Sequence, residues 1–162
     1  MPNILLQGRM RWQFFHYNGL LVDLNCGWYC LKAALGIKHA IAGTPQPHVP
    51  HPGLGHIAYD PSNSPLVTTV ATPVSTAAWV AMLTNHGPVI ASGKLGGADW
   101  GKIGGHRLGV GHFILINGAD TALDVADGGR LYYLDPLQGR FQRHDTFNHL
   151  DQRMNATVDY VT

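Results

Sequence analysis

The sequence predicts an α+β domain in which an N-terminal helix packs against an antiparallel β-sheet. Three observations carry that expectation. Cys26, Cys30, Ala33, Ala34 and Ile37 recur at helical spacing, so one face of a helix is apolar and small. His112 to Asn117 and Arg130 to Asp135 are two apolar runs of strand length. A last apolar run, Val158 to Val161, adds a further strand near the C-terminus.

Bulk properties narrow the class. A chain of 162 residues fits one domain, 1–162, with room for a sizeable core. Hydrophobic residues make up 45% and charged residues only 13%, which points to a globular rather than a disordered chain. The net charge of +1 carries no basic block, so no nucleic-acid partner is expected. No apolar run reaches the length of a membrane span, and no membrane partner is expected. The first residues lack the long apolar stretch of a signal peptide, so export would use a signal-peptide-independent route. The two cysteines stand four positions apart, on one face of a helix. A disulfide needs Cβ atoms about 3.8 Å apart, which an intact helical turn does not offer. Both therefore read as free thiols of a protein that works in a reducing compartment.

Along the chain, Trp12 to Tyr17 and Leu20 to Leu24 flank Asn18-Gly19 and read as a hairpin spanning 10–24. Asn25 is placed to cap a helix over about 26–36, with Gly36 at its end. Residues 41–74 form an irregular excursion punctuated by Pro45, Pro47, Pro50, Pro52, Pro61, Pro65 and Pro73, with a short strand at Leu66 to Val70. Loops of this length are usually functional. Ser75 caps a second helix whose body is Ala77 to Leu83 and which ends by Gly87. Pro88 to Ser92 is a short buried strand, and a Gly-rich loop, 93–111, leads into His112. The two central runs pair as an antiparallel hairpin. Opposing His112 to Asp135 uses both runs fully and leaves Gly118 to Gly129 as the connection. A helical turn at Thr146 to Leu150 precedes the final strand.

A thiol at a helix start, an imidazole at a strand start and a carboxylate at the next strand's end are the parts of an activated thiol nucleophile. Amide groups at a helix N-terminus favour a thiolate, and Cys26 holds the first helical position. Gly27 would let a substrate carbonyl approach, and the Cys26 amide could donate to an oxyanion. Taken singly these features are weak. A free cysteine is more often a small buried hydrophobe, and a lone histidine at a strand start is more often a polar edge residue. Their conjunction carries the chemistry, because apolar runs and not the pairing itself set the hairpin register. His48, His51, His56 and His106 invite a metal reading, but the spacing is loose and no cysteine or carboxylate cluster accompanies it. No metal and no cofactor is expected.

The segment Asn25-Cys26-Gly27-Trp28-Tyr29-Cys30-Leu31 resembles the cysteine element of bacteriocin-processing peptidases at the front of ABC transporters. His86-Gly87-Pro88-Val89-Ile90, Gly111 to Gly118 and Tyr133-Leu134-Asp135-Pro136 are similar to papain-like effector proteases that bacteria deliver into host cells. The likeness covers residues 25–37 and 75–140 and leaves the Pro-rich excursion unmatched. It implies a papain-like α+β fold and a cysteine peptidase with Cys26 as nucleophile, His112 as base and Asp135 as orienting acid. It also implies an effector or toxin domain acting on a protein in a target cell's cytoplasm, with an immunity or inhibitor protein as a further partner. Thiol-dependent amidases, deamidases and transglutaminases use the same parts, and a non-catalytic binding module could keep the same scaffold. Cys30 is the rival nucleophile, since plant papains use the second of two nearby cysteines, though at a different spacing. These families complete the oxyanion hole with a glutamine a few residues before the nucleophile, where this chain has Leu20. Gln7 and Gln13 are the upstream glutamines that could serve instead, with Asn25 as a third choice.

Overall fold

A computed structural model describes residues 2–11, 25–53, 59–95, 112–137 and 141–162. Its described elements are β1 (Ile4–Leu5), α1 (Cys26–Ala42), β2 (Val67–Ala71), α2 (Thr76–His86), β3 (Val89–Gly93), β4 (His112–Asp120), β5 (Arg130–Leu134), β6 (Gln142–Thr146), α3 (Phe147–Asp151) and β7 (Thr157–Val161). The strands form one open antiparallel sheet in the order β2-β7-β3-β4-β5-β6, with β1 pairing the far end of β4. The hairpin expected at 10–24 lies almost wholly outside the described residues, as does the Gly-rich loop from 96 to 111.

β4 is the spine of the sheet. Eight of its nine residues are buried, and it reads as a near-continuous apolar run because both of its faces are covered. Successive residues of β3 and β4 alternate between two cores. Ile90 and Leu115 join Leu134, Val161 and the buried side of α1. Val89, Ala91, Ile114 and Ile116 join Trp79 and Leu83 of α2 and Phe147 and Leu150 of α3. The expected packing of the N-terminal helix on the sheet is therefore half of the architecture: α1 covers one face, and α2 and α3 cover the other.

α1 extends past the expected end at Gly36 and stops at Gly43, whose left-handed φ of 68° closes it. An internal glycine costs about 1 kcal/mol relative to alanine. Burial of Ile37 on the next turn outweighs that cost. The small-residue stripe faces the core as expected: Cys30 and Ala34 have no exposure, and Cys26, Ala33 and Ile37 are buried. Asn25 does not cap the helix with its side chain. Its backbone has φ −96° and ψ 31°, outside the extended cap geometry, and its Nδ2 donates to the Gly53 carbonyl at 2.7 Å. Ser75 does cap α2, its Oγ accepting from the Ala78 amide at 3.1 Å.

The β4–β5 register differs from the expected one. Leu115 opposes Leu134 and Ile116 opposes Tyr133, so the ladder is shifted by two residues from a His112–Asp135 pairing. Beyond Asn117 the register moves again by one, through a β-bulge. Asn117 holds that bulge: its Nδ2 donates to the Leu6 carbonyl at 3.0 Å and to Gln142 Oε1 at 2.8 Å. A constant-sum pairing assumes an unbroken ladder, and the extra residue at Asn117 breaks it.

Candidate active site

The thiol comes from the first residue of α1, the imidazole from the first residue of β4, and the carboxylate from the residue just after β5. The shift in strand register does not separate the last two. A shift of two preserves side-chain parity, so His112 and Asp135 become diagonal neighbours on one face, still within reach of long side chains. His112 Nε2 lies 2.7 Å from Asp135 Oδ1, and both residues are about 5% exposed. The same carboxylate oxygen accepts from the Leu137 amide at 3.0 Å, which fixes its direction. A carboxylate only accepts, so Nε2 carries the hydrogen of this bond. That leaves Nδ1 as the ring nitrogen that can face the Cys26 thiol, which lies close enough to act on the charge of the imidazole.

The electrostatics favour a charged imidazole. Burial by itself lowers the His112 pKa. The hydrogen bonds to Asp135 and Cys26, with the negative charge of both, outweigh it and push the pKa from 6.5 up to about 9. Cys30 lies one turn further into the helix. It is fully buried, and burial pushes its thiol well above the usual thiol range, with the negative charges of Cys26 and Asp135 adding to the effect. Both cysteines are free thiols.

The Pro-rich excursion has a structural role that its composition signalled without specifying. From Gly43 it runs back along α1 toward the thiol. Gln46 Nε2 donates to the Lys32 carbonyl at 3.2 Å, Trp28 Nε1 donates to the Val49 carbonyl at 3.1 Å, and Asn25 takes the Gly53 carbonyl. His51 packs its ring edge-on against Trp28, with centroids 4.7 Å apart. The chain comes back to the same turn at Tyr59 and Pro61. A Cβ on Gly27 would lie 2.5 Å from the Tyr59 carbonyl oxygen and 2.7 Å from Pro61 Cδ. Gly27 thus makes room for the protein's own chain, and not for a substrate carbonyl. Cys26, between the strap's contacts at Asn25 and Gly27, is only 7% exposed.

The oxyanion-hole candidates separate. Gln7 is exposed, and its neighbour Gly8 abuts Ile37, about three turns or ~16 Å along α1 from Cys26. The structure does not bring Gln7 to the thiol. Gln13 lies outside the described residues, as do His56 and His106. Asn25 directly precedes Cys26 and is engaged with Gly53. A further histidine–carboxylate pair, His149 with Asp145, sits on the exposed junction of β6 and α3 with no cysteine in that junction. A scan against protein-family models, a search of curated proteins and a search of solved structures each found no match, so the site is interpreted from its own geometry.

Proposed function

We propose that the chain is a papain-like cysteine peptidase that works by acyl transfer through Cys26, His112 and Asp135. The observation that carries this reading is the hydrogen-bonded His112–Asp135 pair engaging a thiol at the first position of α1. In the reaction the Cys26 thiolate attacks a peptide carbonyl carbon and forms a C–S bond. The imidazolium gives its proton to the leaving amine nitrogen as the C–N bond breaks, which leaves a thioester. Neutral His112 then takes a proton from water as the hydroxide adds to the thioester. Collapse breaks the C–S bond, releases the carboxylic acid and restores the Cys26 thiolate beside the His112 imidazolium. Asp135 holds the ring orientation and stabilises the imidazolium. The first-turn amide of Cys26 supplies one oxyanion donor. The proposed target is a protein in the cytoplasm of another cell, with an immunity or inhibitor protein in the producer. Support for that context is the likeness of the Cys26, His112 and Asp135 segments to bacterial effector and bacteriocin-processing peptidases.

The near-complete burial of the thiol favours a second reading, a binding module on the same scaffold. Alkylation followed by intact and peptide mass spectrometry separates the two. The expected result is rapid modification of Cys26 by iodoacetamide at neutral pH, none at Cys30, and marked slowing in His112→Ala. In a peptide-library digest, Cys26→Ala and His112→Ala should abolish cleavage with the fold intact, and Asp135→Ala should lower it less. Cys30→Ala should retain activity and cost about 1 kcal/mol of packing. Two slowly reacting cysteines, or an adduct on Cys30, would overturn the peptidase reading.

A further inference from the structure

A groove of about 330 Å³ runs along the flank of α1, away from the thiol end of the helix. Its floor is small and apolar: Ala33, Gly36, Ile37 and Ala40 follow one another along the helix surface. Its opposite wall is the N-terminal segment, where the chain alternates. Met10 is buried in the α1 core, while Arg9 and Arg11 on either side of it are exposed and both line the groove. Lys32 adds a third cation from the helix itself. Its ammonium lies 5.2 Å from the Trp28 ring centroid, a contact that leaves its charge in place. None of the described lining residues is acidic, and among the described residues no ion pair engages Arg9, Arg11 or Lys32. In a chain whose net charge is only +1, these cations are gathered around one apolar channel with no carboxylate partner among the described residues.

We propose that this groove is a docking site for an acidic, extended peptide segment of a protein partner. From Tyr29 to Ala40 the helical flank is about 16 Å long, which matches about five residues of extended chain. Arg9 and Arg11 present planar forks suited to paired carboxylates, and Lys32 offers a point charge from the facing wall. The small floor lets the aliphatic stems of glutamate side chains lie flat, and Gln7 and Gln46 can pair with peptide backbone groups. A single-stranded nucleic acid fits less well. Such ligands need aromatic faces to stack on, and among the described lining residues the one aromatic side chain, Tyr29, is buried. The proposal does not rest on the acyl-transfer reading, since the groove lies apart from Cys26, His112 and Asp135.

The test uses the full chain and a fluorescein-labelled hexaglutamate peptide followed by fluorescence anisotropy at low and moderate salt. Saturable binding that weakens with salt is expected. Arg9→Glu/Arg11→Glu should weaken it about tenfold or more, because charge-assisted hydrogen bonds are lost. Ala40→Trp leaves the charge unchanged but fills the channel at an exposed position, and it should weaken binding comparably. Circular dichroism and the alkylation rate of Cys26 should be unchanged in both variants. Three results would overturn the proposal: no saturable binding, loss with the charge variant but none with Ala40→Trp, or equal binding of a labelled oligothymidylate that the same variants abolish.

Discussion

Asp135 and Cys26 both raise the pKa of the His112 ring, and their combined effect outweighs the cost of burying its charge. Linkage turns this into a pH dependence. A histidine whose folded pKa lies above its unfolded value binds an extra proton in the folded state. Its contribution to stability is full below pH 6.5 and is lost as pH rises through about 9. Activity should share the alkaline limb, falling as the imidazolium that partners the thiolate is lost. An NMR titration of the His112 ring should therefore show a midpoint near 9 in the wild type. Asp135→Ala should move that midpoint down, since it removes the carboxylate and leaves the burial. A wild-type midpoint at or below 6.5 would contradict the geometry of the pair.

Among the elements, the first turn of α1 bears the tightest constraint. The excursion seats on it through two side-chain-to-carbonyl hydrogen bonds, from Asn25 and Trp28, and one close steric fit at Gly27. Gly27→Ala puts a Cβ against the backbone oxygen of Tyr59, which cannot swing aside as a flexible side chain would. It should destabilise the protein by about 1–3 kcal/mol in urea unfolding. Asn25→Ala removes a buried donor to the strap and should cost about 1 kcal/mol. Both variants should also speed alkylation of Cys26, because they loosen the strap at the residues on either side of the thiol. Unchanged stability together with unchanged reactivity would show that the strap is not held by these contacts. Gly93 is a comparable point on β3, where it pairs with His112. A Cβ there would lie 1.9 Å from the Arg153 carbonyl oxygen, so only glycine lets that chain cross beside the imidazole's strand.

On the scale of the molecule, one sheet serves two cores. β3 and β4 donate alternate residues to each, so neither core can come apart without exposing the other face of the same strands. Leu31 in α1 and Trp79 in α2 are both fully buried, on opposite sides. Trp79 also carries a buried indole N–H with no hydrogen-bond partner, a cost that its packing must outweigh. Leu31→Ala should cost about 2–5 kcal/mol and Trp79→Ala about 3–5 kcal/mol. Each should lower the midpoint of a single cooperative transition, monitored by both far-UV and near-UV circular dichroism. Two separable transitions would mean that the faces fold independently. No helix among the described residues is long and apolar enough to cross a membrane.

Helical spacing placed Cys26 at the start of α1 and turned its small face inward, because burial of a periodic stripe is a local pattern with a global consequence. Ser75 marked α2 for a similar reason: capping is settled within a few residues, and its hydroxyl accepts from the amide three positions on. β6 was not legible, since Gln142 to Thr146 is polar and exposed and earns its place only by pairing with β5. The pairing of His112 with Asp135 was legible even though its register was not. Parity survives a two-residue shift, whereas the count along the ladder depends on a bulge that Leu6 and Gln142 stabilise from distant parts of the chain. The second core, the strap over the thiol and the position of Gln7 were decided by tertiary structure alone. Each depends on which surfaces meet, and contacts between residues remote in sequence leave no periodic trace in the segments that make them.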